Sequence, residues 1–563
     1  MSMQSRPSAP RRASALRRYG PIVAVVAVIA IVVAVFGATS GGGGGKKNNA
    51  ASVSASGNGP VMFDKSLKVD WGPNCDTTTG KVKIPSIYAP PCVEPFKGNN
   101  GGATAPGVTA DTITVAVYVG QNDPLQGAFL TGAGANITPD TNADQIIDFG
   151  KLYESHFEMY GRKVDFVKYH ATGGPADEAA AKADAIKIAT DIKPFAVFGG
   201  PAETSAFADQ LAAEHIVCVG NCAGTYPTSF VKAREPYLWE FGPLTDQAAQ
   251  LSGEMIGKQL GGKKAVHGGD AVKDKDRVFG ILHYNTPDGQ YTELFHNLQD
   301  ALAKYHVKAA TDVSYPLDLT QASELARTTI AKFKSAGVTT IIMMGDPIMP
   351  KYFTDEATKQ NYFPEWVIGP NVFIDTAIFG RTYDQKQWVH AFGFSLTPAR
   401  GEQQTDNAFN LYEWQYGKKP PSNIYDVTNY DPSIFFTGVH LAGPNLTPQT
   451  FEAGLFRAPI VGGGPTTVTI SRGHHGLWPG TDLGGIDDAT EIWWNPTASG
   501  VDEVGHNGTG LWEYVDGGKR YRLGQFPSQD PGFFDPNGAV TIYKTLPASD
   551  TPPSYPSPAG TGG

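Results

Sequence analysis

From residue 112 onward, short apolar runs alternate with longer stretches whose apolar positions recur every three or four residues. TITVAVYV (112–119), VDFVKY (164–169), FAVFGG (195–200) and HIVCVG (215–220) read as strands, and 143–159, the Ala-rich 177–192 and 204–213 carry the helical period. A crossover helix over 247–260 begins after Thr245-Asp246, residues suited to capping, and stops at Gly261-Gly262. The pattern then restarts with RVFGILHY (277–284), a helix over 288–305, VSY (313–315), a helix over 320–335, TTIIMMG (339–345) and WVIG (366–369). Strands alternating with helices predict parallel sheets covered by helices on both faces. Two consecutive series predict two similar α/β lobes. After residue 457 the chain becomes Gly-rich, with short β runs at TTVTI (466–470), ATEIWW (489–494) and KRYRLGQF (519–526).

The opening residues have a different texture. Residues 22–38 are apolar and free of charge, and with Thr39 they reach the lower limit of the ~17–25 residues that cross a bilayer as a helix. Arg6, Arg11, Arg12, Arg17 and Arg18 precede the run, which predicts a cytoplasmic start, a single-pass membrane anchor and an extracytoplasmic body. The competing reading is a cleaved signal peptide and a secreted chain, but its apolar core is usually only ~7–15 residues, and Phe36 interrupts the small residues that cleavage needs. The expected organisation is a basic segment 1–21, a transmembrane helix 22–39 and a Gly/Ser-rich linker 40–60. A Cys-bridged extension 61–105 follows, then lobe I over 106–245 and lobe II over 246–380. Residues 381–527 complete both lobes with hinge crossings and C-terminal β segments, and 528–563 read as a Pro/Gly-rich tail that is disordered from Leu546.

Charge narrows the function. The 563 residues carry a net charge of −10, although the first 63 contain five Arg, two Lys and no acid. The body is therefore more acidic than the total suggests, and an acidic body repels a phosphate backbone, which excludes nucleic acid as a partner. The four cysteines fall as two local pairs, and an even count in an exported chain favours disulfides between Cys75 and Cys92 and between Cys218 and Cys222. C-V-G-N-C has neither the spacing of a thioredoxin-type site nor enough ligands for zinc.

Chemical motifs are few. GKQLGGKK (257–264) ends a helix instead of opening one and lacks the Ser or Thr that holds magnesium in a phosphate loop, so it reads as a helix stop. GAGAN (132–136) is loop, and His474-His475 read as a surface turn. With no G-x-S-x-G or H-E-x-x-H, no enzymatic activity, metal or cofactor is expected. What remains are the residues just past the strand ends, where ligands bind in open parallel sheets. In the first lobe these are Gln121 and Asn122, then Glu203, Thr204 and Ser205, then Asn221 and Thr225. In the second they are Tyr284 and Asp288, Asp346 and Asn371. Thr204-Ser205 and Asp346 could equally cap helices, and Tyr284 could be a buried strand aromatic.

GVTADTITVAVY, VFGGPAETSAFADQLAAEHIVCVGN, PYLWEFGPLTDQAAQLSGEMI and RVFGILHYNTPDGQYTELF together resemble the type I periplasmic binding proteins. The nearest group is the branched-chain amino-acid (leucine/isoleucine/valine) substrate-binding proteins of ABC transporters. LTPQTFEAGL (446–455) and the stretch from IWWNP to RLGQFP resemble that family's C-terminal region. The resemblance implies two Rossmann-like lobes joined by a three-segment hinge that closes on a small ligand. It implies that Thr204 or Ser205 and the amides near Ala223 receive a carboxylate, while Asp346 faces an ammonium. The loop after the first strand is longer than the family's turn, and Glu203 places an acid where the family receives an anion. The expected function is a membrane-tethered solute-binding protein that captures an amino acid or related polar molecule and delivers it to an ABC permease. The alternative is a membrane-anchored sensing ectodomain that closes in the same way without transport.

Overall fold

The structure is a computed structural model that describes residues 59–121, 138–201, 204–220, 222, 224, 226–285, 289–316, 318–371 and 373–561. The expected basic segment and transmembrane helix lie outside the described residues, as does nearly all of the linker. Among the described residues no helix is long and apolar enough to cross a membrane.

Two hairpin strands, β1 (Cys75–Asp76) and β2 (Lys81–Val82), open the described chain. The first lobe follows with β3 (Thr112–Val119), α1 (Pro139–His156), β4 (Lys163–His170), α2 (Glu178–Lys187) and β5 (Ala196–Phe198). It continues through α3 (Ala206–Ala213), β6 (Val217–Val219), α4 (Thr228–Lys232) and β7 (Leu238–Trp239). Its five strands are parallel in the order β4-β3-β5-β6-β7, with Val115 opposite both Phe166 and Ala196. Val115, Val117, Val197 and Val219 are buried, as both-sided helix cover demands.

The second lobe contains α5 (Thr245–Gln259), β8 (Phe279–Tyr284), α6 (Gln290–Ala303), β9 (Thr311–Tyr315), α7 (Ala322–Ser335) and β10 (Thr340–Met344). Then come α8 (Met349–Lys359), β11 (Glu365–Ile368), two short helices α9 (Ala377–Gly380) and α10 (Gln385–Trp388), and β12 (Ala391–Ser395). Its parallel strands run β9-β8-β10-β11-β12, the same order as in the first lobe. The chain then returns to the first lobe for α11 (Asn407–Tyr416), α12 (Tyr425–Ala442) and α13 (Pro448–Arg457), whose Leu411, Phe435 and Phe451 join its core. It crosses back for β13 (Asp488–Val501), β14 (Asn507–Tyr514) and β15 (Arg520–Arg522); β13 extends the second sheet antiparallel to β12, and β14 and β15 each pair antiparallel with β13. Three crossovers therefore join the lobes: between β7 and α5, between β12 and α11, and between α13 and β13.

The crossovers are laced to one another. Gly485 donates its N–H to the Gly242 carbonyl at 3.0 Å, and Gln247 donates to Asp482 at 2.7 Å, which ties the first crossover to the third. A Cβ on Gly485 would strike the Phe241 carbonyl, so this approach requires glycine. Arg520 and Asp488, both essentially inaccessible, pair at 2.8 Å, and Arg520 also donates to the carbonyls of Leu396 and Thr397 in the second crossover. Asp488 in turn accepts the Thr469 N–H with both oxygens.

Both cysteine pairs are disulfides, Cys75–Cys92 and Cys218–Cys222. Cys75–Cys92 closes 17 positions of extension whose small core is Trp71 with Phe63 and Val69. The extension docks on the first lobe through His440. The His440 Nδ1 accepts the Glu158 N–H at 2.8 Å, which fixes the proton on Nε2, and Nε2 donates to the Pro91 carbonyl at 3.0 Å. Burial pushes the His440 pKa down to about 4, so the ring stays neutral. Replacing both Cys75 and Cys92 with Ser is expected to lower unfolding free energy by about 2–4 kcal/mol, measured by denaturant titration. An unchanged midpoint would mean that docking, and not the bridge, holds the extension.

Three expectations change. TTVTI (466–470) is not a strand; it makes only isolated bridges, because Thr466 and Thr469 donate their amides to Asp550 and Asp488 instead of a neighbouring strand. The end of the chain from Leu546 is not disordered: it continues a packed path in which Phe533 is buried in the second core and Tyr543 exchanges backbone hydrogen bonds with Arg400 and Glu402. Asp550 and Tyr555 anchor the rest, on Thr466 and Asp76 respectively. Prolines in this stretch suit an extended path that needs few ladder donors. Asp246 does not cap its own helix; Gln247 takes the Leu244 N–H, and Asp246 accepts from Thr228 at the start of α4.

Candidate functional site

The carboxyl ends of both sheets face a cleft of about 1450 Å³. Gln121, Gly199–Pro201, Gly220 and Tyr226 line it from the first sheet, and Asn371, Phe373, Asp375 and Thr376 from the second. The crossovers contribute Phe241, residues 396–406 and Arg472, and α12 contributes Asp426, Tyr430 and Asp431. The extension reaches the same cleft with Ser86 and Tyr88.

The sequence-predicted residues divide sharply. Gln121 and Asn371 line the cleft. Asn122, Glu203, Asn221, Ala223, Thr225 and Asp288 lie outside the described residues. Thr204 is buried and its Oγ accepts the Ala206 N–H at 3.2 Å, while Ser205 Oγ lies 3.0 Å from Asp209; both hydroxyls serve the start of α3. Neither lines the cleft. Tyr284 is buried against Tyr291 and Tyr315, with ring centroids 4.8 and 6.0 Å away.

Asp346 is also withdrawn. It is 1% exposed, and its Oδ1 accepts the N–H of Ile348 at 2.7 Å and of Met349 at 2.9 Å, where α8 begins. Burial pushes its pKa up, opposed by those amides and the Tyr315 hydroxyl. The aromatic plug of Tyr284, Tyr315 and Tyr383 thus fills the strand ends where a lone carboxylate was expected to face the cleft. Asp346→Ala is expected to cost about 1–2 kcal/mol of stability and to leave solute affinity unchanged. Calorimetry beside thermal melting checks it; lost affinity at an unchanged melting point would restore Asp346 to the site.

Other residues, missed by strand-end reasoning, carry the cleft's chemistry. Asp375 is buried, accepts from Ser395 at 2.6 Å, and is pushed up to about 6 by burial. Asp406 caps α11 by accepting the Phe409 N–H at 2.8 Å. Asp426 faces it, and burial together with that like charge pushes Asp426 well above the usual carboxylate range. Two carboxyls this close repel as a pair of charges, which favours their sharing one proton. Phe241 and Tyr430 stack with centroids 3.5 Å apart and planes within 6°, joining the first crossover to α12. The run YDVTNYD (425–431), acids and aromatics at helical spacing, was the sequence signal available for this wall. Among the described residues no group of His, Cys, Asp and Glu is arranged to hold a metal ion.

No protein-family model matches this sequence, and no curated protein sequence is similar to it. Solved structures do match the fold. A leucine-, isoleucine-, valine-, threonine- and alanine-binding protein from Brucella ovis, in a closed conformation, is 13% identical; the match covers 77% of this chain and 100% of that one, with a TM-score of 0.52. A candidate branched-chain amino acid ABC transporter protein from Silicibacter pomeroyi is 11% identical, covering 74% and 100%, with a TM-score of 0.50. With one strand order used twice, three crossovers and a cleft at the carboxyl ends of both sheets, this chain has the fold of the type I periplasmic binding proteins.

Proposed function

We propose that the protein is an extracytoplasmic solute-binding protein that captures a small polar ligand by closure of its two lobes and delivers it to an ABC permease in the membrane. It binds without catalysis. The observation that carries this reading is the cleft itself, lined from both sheets at their carboxyl ends and from all three crossovers. Its volume exceeds the ~300–1,000 Å³ of an ordinary small-molecule pocket, so a solute of amino-acid size is desolvated on all sides only if the lobes close around it. A ligand that touches both walls has greater affinity for the closed form and shifts the population toward it. The likeness to the Brucella ovis amino-acid-binding protein supports the same reading.

The apolar run at 22–38 then serves as an uncleaved tether, with the permease as partner in the same membrane. Mass spectrometry of small molecules released by unfolding the natively purified protein is the direct test. One bound species that raises the melting temperature when added back supports capture; an empty cleft with no crosslink to a permease overturns it. Protease added outside intact cells is expected to remove the body. A mature N-terminus between residues 35 and 45, with protein in the medium, would replace the tether by secretion.

A further inference from the structure

One carboxylate in the cleft has nothing to answer it. Asp431, on α12, lies across the carboxyl end of β6, where Gly220 adopts a φ of 69° and has no Cβ. A Cβ there would fall inside the Asp431 carboxyl, so the absence of a side chain at 220 is what admits the acid to the strand end. Asp431 is partly exposed to the cleft and has no hydrogen-bond or ion-pair partner among the described residues, and its partial desolvation pushes its pKa up.

The cations of the cleft are already engaged. Arg400 donates to the Val501 carbonyl at 2.8 Å and lies 3.5 Å from Glu503. Arg472 donates to the Glu240 carbonyl and faces Asp482 and Asp487. No Lys is among the described residues that line the cleft, whereas Asp375, Asp406, Asp426 and Asp431 all do. Among the described residues, a carboxylate entering beside β6 would meet acids, and the two arginines of the cleft already face Glu503, Asp482 and Asp487. The hydroxyls of Thr204 and Ser205, which the resemblance implied for a carboxylate, are committed to α3. Flat apolar surface stands close by, in the stacked Phe241–Tyr430 pair and in Tyr226. Aromatic faces add to the attraction of a carboxylate for a positive nitrogen.

We propose that the cleft takes an organic cation, its charged nitrogen held by Asp431 at the end of β6 and its apolar body against Phe241, Tyr430 and Tyr226. This rests on the solute-binding reading and names the class of solute. An ammonium or guanidinium group supplies the partner that no described side chain gives this carboxylate.

The test uses the full chain in detergent and calorimetric titration with phenethylamine, phenethyl alcohol, leucine and 4-hydroxybenzoate. Phenethylamine is expected to bind more tightly than the other three, and on the order of 30-fold more tightly than the alcohol. Asp431→Asn is expected to remove that advantage while leaving the alcohol's affinity unchanged and the unliganded melting point no lower than the parent's. Asp431→Glu, which keeps the charge, is expected to retain a preference for the amine. Equal binding of amine and alcohol, or an amine affinity unaffected by Asp431→Asn, overturns the inference. Tighter binding of leucine or 4-hydroxybenzoate than of phenethylamine overturns it too, while leaving solute capture intact. If none of the four binds, the inference fails, and the search for a released small molecule decides whether solute capture fails with it.

Discussion

Asp488→Ala is expected to destabilise the protein by about 3–5 kcal/mol. Its carboxylate is 1% exposed and sits between two donors' worth of crossovers, the Arg520 guanidinium and the Thr469 amide. Removing it leaves the Arg520 charge buried with only carbonyls of Asp488, Leu396 and Thr397 to solvate it. The cost is mostly that of the stranded cation, not the worth of the pair. The double replacement Asp488→Leu with Arg520→Met should therefore recover much of the loss. Denaturant titration of the single and double variants is the measurement. A single variant within 1 kcal/mol of the parent would mean that water reaches Arg520 and the lacing is loose.

Glu491→Gln is expected to stabilise the protein at pH 8 and to have little effect near pH 4. Glu491 is fully buried on β13; Gln259 donates to one carboxylate oxygen, and the other has no partner. Burial pushes its pKa from 4.5 to about 8. A raised acid is protonated in the folded state where the unfolded chain has already ionised, so the unfolded state binds fewer protons. The contribution of Glu491 to stability is complete below its unfolded value and is lost as pH rises toward its folded one. At about 1.4 kcal/mol per pH unit for one proton, the loss between pH 5 and pH 8 is on the order of 3 kcal/mol. The amide keeps the shape and the Gln259 contact without the ionisation. Melting curves of both proteins across that range should diverge as pH rises, and curves that stay parallel would show that Glu491 ionises in both states at ordinary pH.

The repeated α/β series was legible because a parallel strand buried on both faces is a continuous apolar run, and TTIIMMG or FGILHY can be little else. Leu238–Trp239 escaped because two residues make no period. The helices over 407–457 escaped for another reason: α12 mixes acids and aromatics on the face that lines the cleft, so its period is blurred where it is used. Among the described residues, strand-end position reached the cleft at Gln121 and Asn371. Strand-end position brings a residue to the right edge of the sheet, but it does not say which neighbours arrive there. Three tyrosines from separate elements cover Asp346, and a glycine at 220 lets a helix 211 positions later bring Asp431 to the end of β6, where the resemblance implied amides receiving a carboxylate. Such encounters are tertiary and leave no local pattern.

The docking of the extension has a consequence for the order in which the chain is made. Pro91 meets His440 across 349 positions, and Tyr88 meets Val468 across 380. Synthesis from the N-terminus therefore produces the extension long before its landing surface exists. Tyr555, which holds Asp76, arrives later still. Neither the first lobe nor the extension can be finished until α12 has left the ribosome, because α12 supplies both the core residue Phe435 and the docking residue His440. The second lobe, whose β8 to β12 are contiguous in sequence, has its central sheet complete before that point. Each lobe thus waits on chain that follows the other's strands: the first on the helices that the second crossover brings back, and the second on β13 to β15, which the third crossover returns to its sheet.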